Sequence, residues 1–284
     1  MKIILSRKGF DSSAGGVPSP ILPDGRLVSL PIPDPLSTIR YRSIQGCDPA
    51  IGKLVTDLTK GRIKASTKAH LDPDLLHSNL PRTSNWRPLF GQSGAAQGHL
   101  RNQQIAVGDV FLFFGLFQRV KKTAGKFTFD NSSPRQHILY GWMQIGAIFP
   151  VSDCPEETRS WASYHPHFSH PASTNNTLYV ATDKLRINGR QVKSIDGAGQ
   201  FESITNNRTL TARNAKTPSQ WQLPAWIYPT PGKPPLTYHT TLSRWKKNET
   251  HSNLQAASRG QEFVLDCDHY PEALGWLREI LSKK

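Results

Sequence analysis

The run Val107-Gly108-Asp109-Val110-Phe111-Leu112-Phe113-Phe114-Gly115-Leu116-Phe117 constrains this chain more than any other stretch. It is the most apolar segment, and its aromatic and β-branched content with glycine punctuation predicts a buried strand, not a helix. His137–Phe149 is a second long strand, broken or bent at Gly141 and Gly146. The basic, turn-rich segment 121–134 joins the two, so they are expected to form the core hairpin.

The rest of the pattern arranges itself around that hairpin. Lys2–Leu5 reads as a short opening strand, and Asp24-Gly25 before Leu27–Ile32 as a hairpin turn. Pro31, Pro33 and Pro35 impose an extended path. A helix is expected over 49–60, with Asp48 as N-cap, Leu54, Val55 and Leu58 buried and Gly61 as stop. A short helix is expected over 155–163 with Asp153 as cap, a strand over 176–181, and a hairpin over 185–192 turning at Asn188-Gly189. Segment 205–235, with Trp221 and Trp226, reads as an ordered wrap over the core. Arg259–Asp266 leads a strand, and Tyr270–Leu281 is the clearest helix, with Leu274, Leu277 and Leu281 on one face and Lys283-Lys284 at its negative end. The expected fold is α+β: a largely antiparallel, bent sheet or partial barrel with few helices and a C-terminal helix packed on it, forming a single domain over 1–284.

Charge narrows the partners. Thirty-five Lys and Arg against 21 Asp and Glu leave a formal net charge of +14, which favours a nucleotide or nucleic acid as partner. No run has the roughly 18 apolar residues of a membrane span. Cys47, Cys154 and Cys267 are few, odd in number and far apart, which points to a reducing, cytoplasmic setting without a cysteine zinc site.

Four loops carry the chemistry. After the first strand come Ser6, Arg7 and Lys8, then Asp11, Ser12, Ser13 and the pair Gly15-Gly16. Cationic side chains beside consecutive glycines suit an oxyanion such as phosphate. His70-Leu71-Asp72-Pro73-Asp74 places three hard ligands at alternate positions, while Asp72-Pro73 also reads as a helix N-cap followed by its first residue. Trp86–Arg101 is a small-residue loop crowded with Gln92, Gln97, His99 and Arg101, suited to close approach of a ligand. His165, His167 and His170 fall within seven residues, a set that invites a metal or a general acid without matching a zinc signature. A basic–aromatic cluster over 238–247 has the composition of a single-stranded nucleic acid groove.

Five of these motifs taken together resemble a known family. They are Ser-Arg-Lys-Gly-Phe-Asp-Ser-Ser-x-Gly-Gly-x-Pro-Ser-Pro-Ile at 6–21, His-Leu-Asp-Pro-Asp-Leu at 70–75, Gly-Gln-x-Gly-Ala-Ala-Gln-Gly-His-Leu at 91–100, the 107–117 strand, and Gly-Gln-Glu-Phe-Val-Leu at 260–265. The set resembles the third of the nucleotide-modification-associated domain families of bacteria and phages, over nearly the whole chain. The resemblance implies a link to modified bases in DNA and carries over no catalytic residue.

The chemistry then points to a nucleotide- or nucleic-acid-processing enzyme, acting by base modification or phosphodiester cleavage. Asp11, His70, Asp72 and His99 are the acid–base candidates. Ser6, Arg7, Lys8, Ser12, Ser13, Gly15, Gly16, Gln92, Gln97, Arg101 and His167 are the substrate- or phosphate-binding candidates. These groups require no metal; a version using a divalent cation would recruit Asp11, Asp72 and Asp74. The alternative is a non-catalytic module that binds modified bases, with Trp86 and Trp142 as stacking residues.

Overall fold

A computed structural model of the chain describes residues 1–170, 173–258 and 260–282. The expected roles of Arg259 and Lys283-Lys284 lie outside the described residues. The central run forms β6 (Val110–Thr123), which pairs antiparallel with β8 (Gln136–Pro150); between them β7 (Lys126–Phe129) folds back on the far end of β6. Neither glycine breaks β8. Its register slips instead, by one residue next to Gly141 and by another at Gly146. At Gly146 an added Cβ would stand 2.8 Å from the Ala181 carbonyl, so the bend depends on a bare backbone.

Nine strands join in the main sheet, among the described residues. Its path runs β16 (Glu262–Asp266), β1 (Lys2–Arg7), β6, β8, β9 (Thr177–Ala181), β5 (Leu89–Gln92), and it stays open at both edges. β12 (Ala198–Gln200) adds to β8, and β2 (Ser19–Ile21) to β6. Pairing is antiparallel except that β1 and β2 run parallel to β6. The expected α+β class and largely antiparallel sheet are what is found.

Alternation along β6 explains why its sequence is apolar at nearly every position. Val110, Leu112 and Phe114 enter one core, with Trp221, Phe263, Tyr270, Leu277 and Ile280. Phe111, Phe113 and Phe117 enter another, with Phe90, Tyr140 and Tyr179. Both faces of the sheet are covered, so neither set of side chains meets water. On the first face lie α4 (Glu272–Leu281), which buries Ala273, Trp276, Leu277, Ile280 and Leu281, and a three-stranded sheet of β13 (Gln220–Pro224), β15 (His251–Gln255) and β14 (Trp245–Lys247). Segment 205–235 is thus an ordered cover. The Asn188-Gly189 hairpin is β10 (Lys184–Ile187) with β11 (Arg190–Asp196).

Because β1 and β6 are parallel, a long excursion must carry the chain back from the end of one to the start of the other. That excursion, from Lys8 to Asp109, builds a third core from Phe10, Leu30, Tyr41, Leu54 and Val55, to which β7 adds Phe127. It contains the two-stranded β3 (Ile32–Pro33)–β4 (Ala69–His70) pair, α1 (Ile51–Leu58), and the β5–α2 unit, where α2 is Gly94–Asn102. α1 begins later than the sequence predicts: Ala50, not Asp48, holds the N-cap position. α3 (Glu156–Ala162) likewise starts after Pro155, and Asp153 is not its cap. Asp72-Pro73 opens no helix, because the Asp72 carboxylate is engaged elsewhere (below). The expected small-residue loop at 86–101 is instead a strand followed by a helix. Ala95 and Ala96 favour helix, and Leu100 buries completely against the second core. No helix among the described residues is long and apolar enough to cross a membrane.

Candidate active site cleft

A polar cleft of about 260 Å³ opens where the excursion leaves β1. Arg7, Lys8, Asp11 and Ser13 line it from the segment after β1, His70 and Asp72 from β4 and beyond, Gln92 from the end of β5, and His167 and His170 from the turn at 166–169. Nine of the residues singled out from sequence, from four separate loops, therefore share one hollow.

The histidines and carboxylates are tied into an ordered set. Asp34 Oδ2 accepts from His70 Nδ1 at 2.8 Å and from His170 Nε2 at 2.7 Å. A carboxylate cannot donate, so both contacting nitrogens carry protons. On the other side of the His70 ring, Nε2 faces Asp72 Oδ2 at 3.7 Å, and His167 Nε2 faces the same oxygen at 3.6 Å. Asp72 Oδ1 accepts the Gly91 N–H at 2.9 Å and lies 3.3 Å from His165 Nε2. His167 is oriented in turn by Asn176, which contacts its Nδ1 and donates to its carbonyl. Gly91 has no room for a side chain, since a Cβ there would come within 2.3 Å of the His167 ring. Glycine at this position lets the imidazole lie on the strand backbone.

Burial and charge oppose one another in this set. Burial disfavours the charged imidazolium of His70, but Asp34 and Asp72 outweigh it and raise the group to about 9. Burial also disfavours ionised Asp72, yet the facing imidazoles of His165, His167 and His70 hold its carboxyl well below the usual range. Asp34 is likewise held low, against burial, by His70 and His170. Burial keeps His165 below the ordinary imidazole range.

Other expected site residues stand elsewhere or are committed. Lys8 lines the cleft, but its Nζ is 2.8 Å from the buried Glu262 Oε1, which Gln92 Nε2 also reaches at 2.6 Å. Its charge is neutralised within the protein. Arg7 gives Nη2 to the carbonyls of Ser258 and Gly260. Asp11 Oδ1 accepts from the Ser13 N–H, the Ser13 hydroxyl and the Ala14 N–H, so it holds its own loop together. Gly15 and Gly16 (φ +81° and +76°) allow that tight turn, and the Gly16 N–H donates to the Asp11 carbonyl instead of facing the cleft. Ser12 is exposed and does not line the cleft, and Ser6 lies fully buried beneath it.

On α2, His99 Nε2 pairs with Thr237 Oγ1 at 3.0 Å, and Gln97 Oε1 accepts from Tyr179. Both residues fasten the helix to its neighbours. Arg101 contacts Asn175 outside the cleft. The trio Asp11, Asp72 and Asp74 does not assemble. Asp74 is buried in an ion pair with Arg82 and accepts from Asn79 and Tyr164. The groups with metal-ligand spacing among the described residues are Asp34/His70/His170 and His70/Asp72/His167. Trp86 is packed against Arg82 and bonded to Tyr164, and Trp142 packs on Phe201, so Trp86 is covered and Trp142 only half-buried.

The family model described as "Nucleotide modification associated domain 3" matches residues 2–266. The chain belongs to that family. No curated protein and no solved structure matches it. The matched span of this nucleotide-modification-associated domain contains every cleft residue named above and ends with β16.

Asp34, Asn176 and Glu262 are the participants that sequence reasoning does not single out as site residues. Asp34 offered only a carboxylate fixed between Pro33 and Pro35; for Glu262 and Asn176 no local pattern distinguishes them from surface residues.

Proposed function

We propose that this nucleotide-modification-associated domain is an enzyme acting on a nucleotide or nucleic acid, with its reacting centre at His70, Asp72 and His167. The observation that carries the reading is convergence: acid–base groups from segments more than 90 residues apart, His70 and His167 among them, face one polar cleft. Asp34 fixes the tautomer and orientation of His70, as expected of a side chain that handles protons or a metal.

A second cavity, of about 300 Å³, shares Gly9 and Asp72 with the cleft. Leu27, Val28, Tyr140 and Phe201 make it largely apolar, and Asn79 and Gln200 place amides on its wall. Such a lining suits a nucleobase, with the adjoining cleft receiving the phosphate-bearing or reacting part near Arg7. The test is calorimetric titration with nucleoside monophosphates and short oligonucleotides, followed by mass spectrometry of treated DNA and nucleotides. Binding that Arg7→Ala weakens, with turnover abolished by Asp72→Asn, supports the enzyme. Binding that survives with no turnover for any substrate or added divalent metal rejects catalysis in favour of a binding module.

A further inference from the structure

His70 makes two kinds of contact with carboxylates, and their lengths separate two roles. On its Nδ1 side the distance to Asp34 is 2.8 Å, an ordinary charge-assisted hydrogen bond. The same holds for His170 at 2.7 Å, so the Asp34 group is complete as it stands. On the Nε2 side the gaps to Asp72 Oδ2 are 3.7 Å from His70 and 3.6 Å from His167. These are too long for hydrogen bonds. Ligands about 2.0–2.2 Å from a shared ion stand about 3.0–3.5 Å from one another. The Asp72 gaps exceed that by only a few tenths of an ångström, and the three donor atoms all lie within 4.8 Å.

We infer that His70 Nε2, His167 Nε2 and Asp72 Oδ2 form a binding site for one divalent first-row transition metal, open on the side of the cleft. This deepens the reading of the cleft as the working site and rests on it. Two imidazoles and one carboxylate favour zinc, iron(II) or manganese over magnesium or calcium, which prefer all-oxygen shells. The surroundings have the form of an outer shell. Asp34 holds the far nitrogen of His70, Asn176 that of His167, and the Gly91 N–H engages the second oxygen of Asp72. Such partners fix ring orientation and raise ligand basicity. Asp72 is 4% exposed beside His165, whose two ring nitrogens are buried without partners among the described residues. Three histidines, His70, His165 and His167, and no Lys or Arg among the described residues stand within ion-pair distance of this buried carboxylate, a setting in which a buried charge coordinates a metal.

An ion there would also resolve a problem of charge in the cleft. Lys8 is neutralised by Glu262, leaving Arg7 opposite Asp11 and Asp72. A dication on two neutral imidazoles and one carboxylate leaves a net positive centre facing the hollow, where a phosphoryl oxygen or a water can take the open positions.

The test uses full-length protein stripped with chelator and dialysed. Titration with zinc(II) and manganese(II), and anaerobically with iron(II), is expected to show one equivalent bound in the micromolar range or tighter, with magnesium at least 100-fold weaker. Asp72→Asn and His167→Gln should abolish that equivalent, whereas His99→Ala should retain it. Because the first two variants are able to disturb folding, cobalt(II)-substituted wild type supplies an independent reading. Its d–d and X-ray absorption spectra should report two imidazoles with oxygen ligands and shift when inorganic phosphate is added. No equivalent in wild type, binding that survives loss of Asp72 and His167, or a cobalt spectrum without two imidazoles overturns the assignment. One metal equivalent without any nucleotide binding keeps the metal site and rejects the nucleotide reading, so the two fail separately.

Discussion

The carboxylate of Asp34 and the imidazole of His70, 36 positions apart in the chain, meet at 2.8 Å and set which ring nitrogen of His70 faces the cleft. Asp34 lies in a proline-bounded extended segment, and β3 pairs Ile32 directly with His70. The sheet register therefore delivers the carboxylate to the ring. An Asp34→Asn variant keeps one oxygen for the two rings but loses the negative charge that orients them, and its amide nitrogen replaces the oxygen that accepts the Leu36 N–H. It should fold normally and bind zinc about 10–100-fold more weakly, as loss of an orienting partner does elsewhere. Calorimetry beside a thermal melt checks both halves of that expectation.

Gly91→Ala would place a methyl group in contact with the His167 ring, on backbone that also holds Asp72. The strand cannot yield without breaking the β5–β9 ladder, so the imidazole must move. Stability should fall by about 1–3 kcal/mol, the usual cost of overpacking. Metal uptake should weaken more than it does in Gly98→Ala, since a Cβ at Gly98 meets nothing. Equal effects in the two variants would contradict this role for Gly91.

Lys8 and Glu262 give a third prediction. Glu262 is 1% exposed and Lys8 11%, so Lys8→Met leaves a carboxylate buried without its cation. Breaking such a pair costs about 3–5 kcal/mol, while replacing both members by apolar residues is often close to neutral. Urea unfolding of Lys8→Met should show the large loss, and Lys8→Met/Glu262→Leu should recover most of it. A Lys8 that serves mainly to bind phosphate would instead give a stable single variant with weakened nucleotide affinity.

The pH dependence of stability has a source outside the cleft. Burial lowers His137 to about 4, with Arg7 adding to the shift and Asp11 opposing it, and its Nδ1 accepts the Trp221 indole N–H at 2.9 Å. The folded value lies below the ordinary 6.5, so the unfolded chain takes up this proton first as pH falls. The contribution of neutral His137 is fully present above pH ~6.5 and disappears between there and pH ~4, amounting to about 3 kcal/mol. His137→Asn offers Trp221 an acceptor that does not titrate. Denaturation curves at pH 7.5 and 4.5 should therefore show wild type losing about 2–3 kcal/mol more than the variant.

His99→Ala separates fastening from chemistry. The ring bonds Thr237 and packs on Tyr238 at 4.5 Å, tying α2 to the segment before β16. Its loss should lower the melting temperature while leaving metal and nucleotide affinity within twofold.

The β6–β8 pairing was legible because its signal is local: a strand buried on both faces must be apolar at nearly every position, and His137–Phe149 could pair with it across a short connection. The same holds for α4, whose stripe repeats within ten residues. The small-residue stretch at 91–100 misled because glycine content reads as loop. In the fold, Gly91 is a strand residue that admits His167, and the alanines after it extend a helix whose face is set by Tyr179 and Leu100.

At the cleft, residue chemistry alone indicated that Arg7, Asp11, His70, Asp72 and His167 were unusual, since each sits in a polar loop beside apolar strands. It could not rank them. Whether Lys8 meets a phosphate or a buried glutamate depends on β1 pairing with β16, 254 positions away. Whether Asp72 works with Asp74 or with His167 depends on where β5 passes between the two loops. Sequence by itself determined the strands, the core and the stock of reactive groups, because those follow from periodicity and side-chain type. Tertiary structure decided which groups neutralise one another and which stay available, because electrostatic partnership depends on separations of a few ångströms that only long-range pairing fixes.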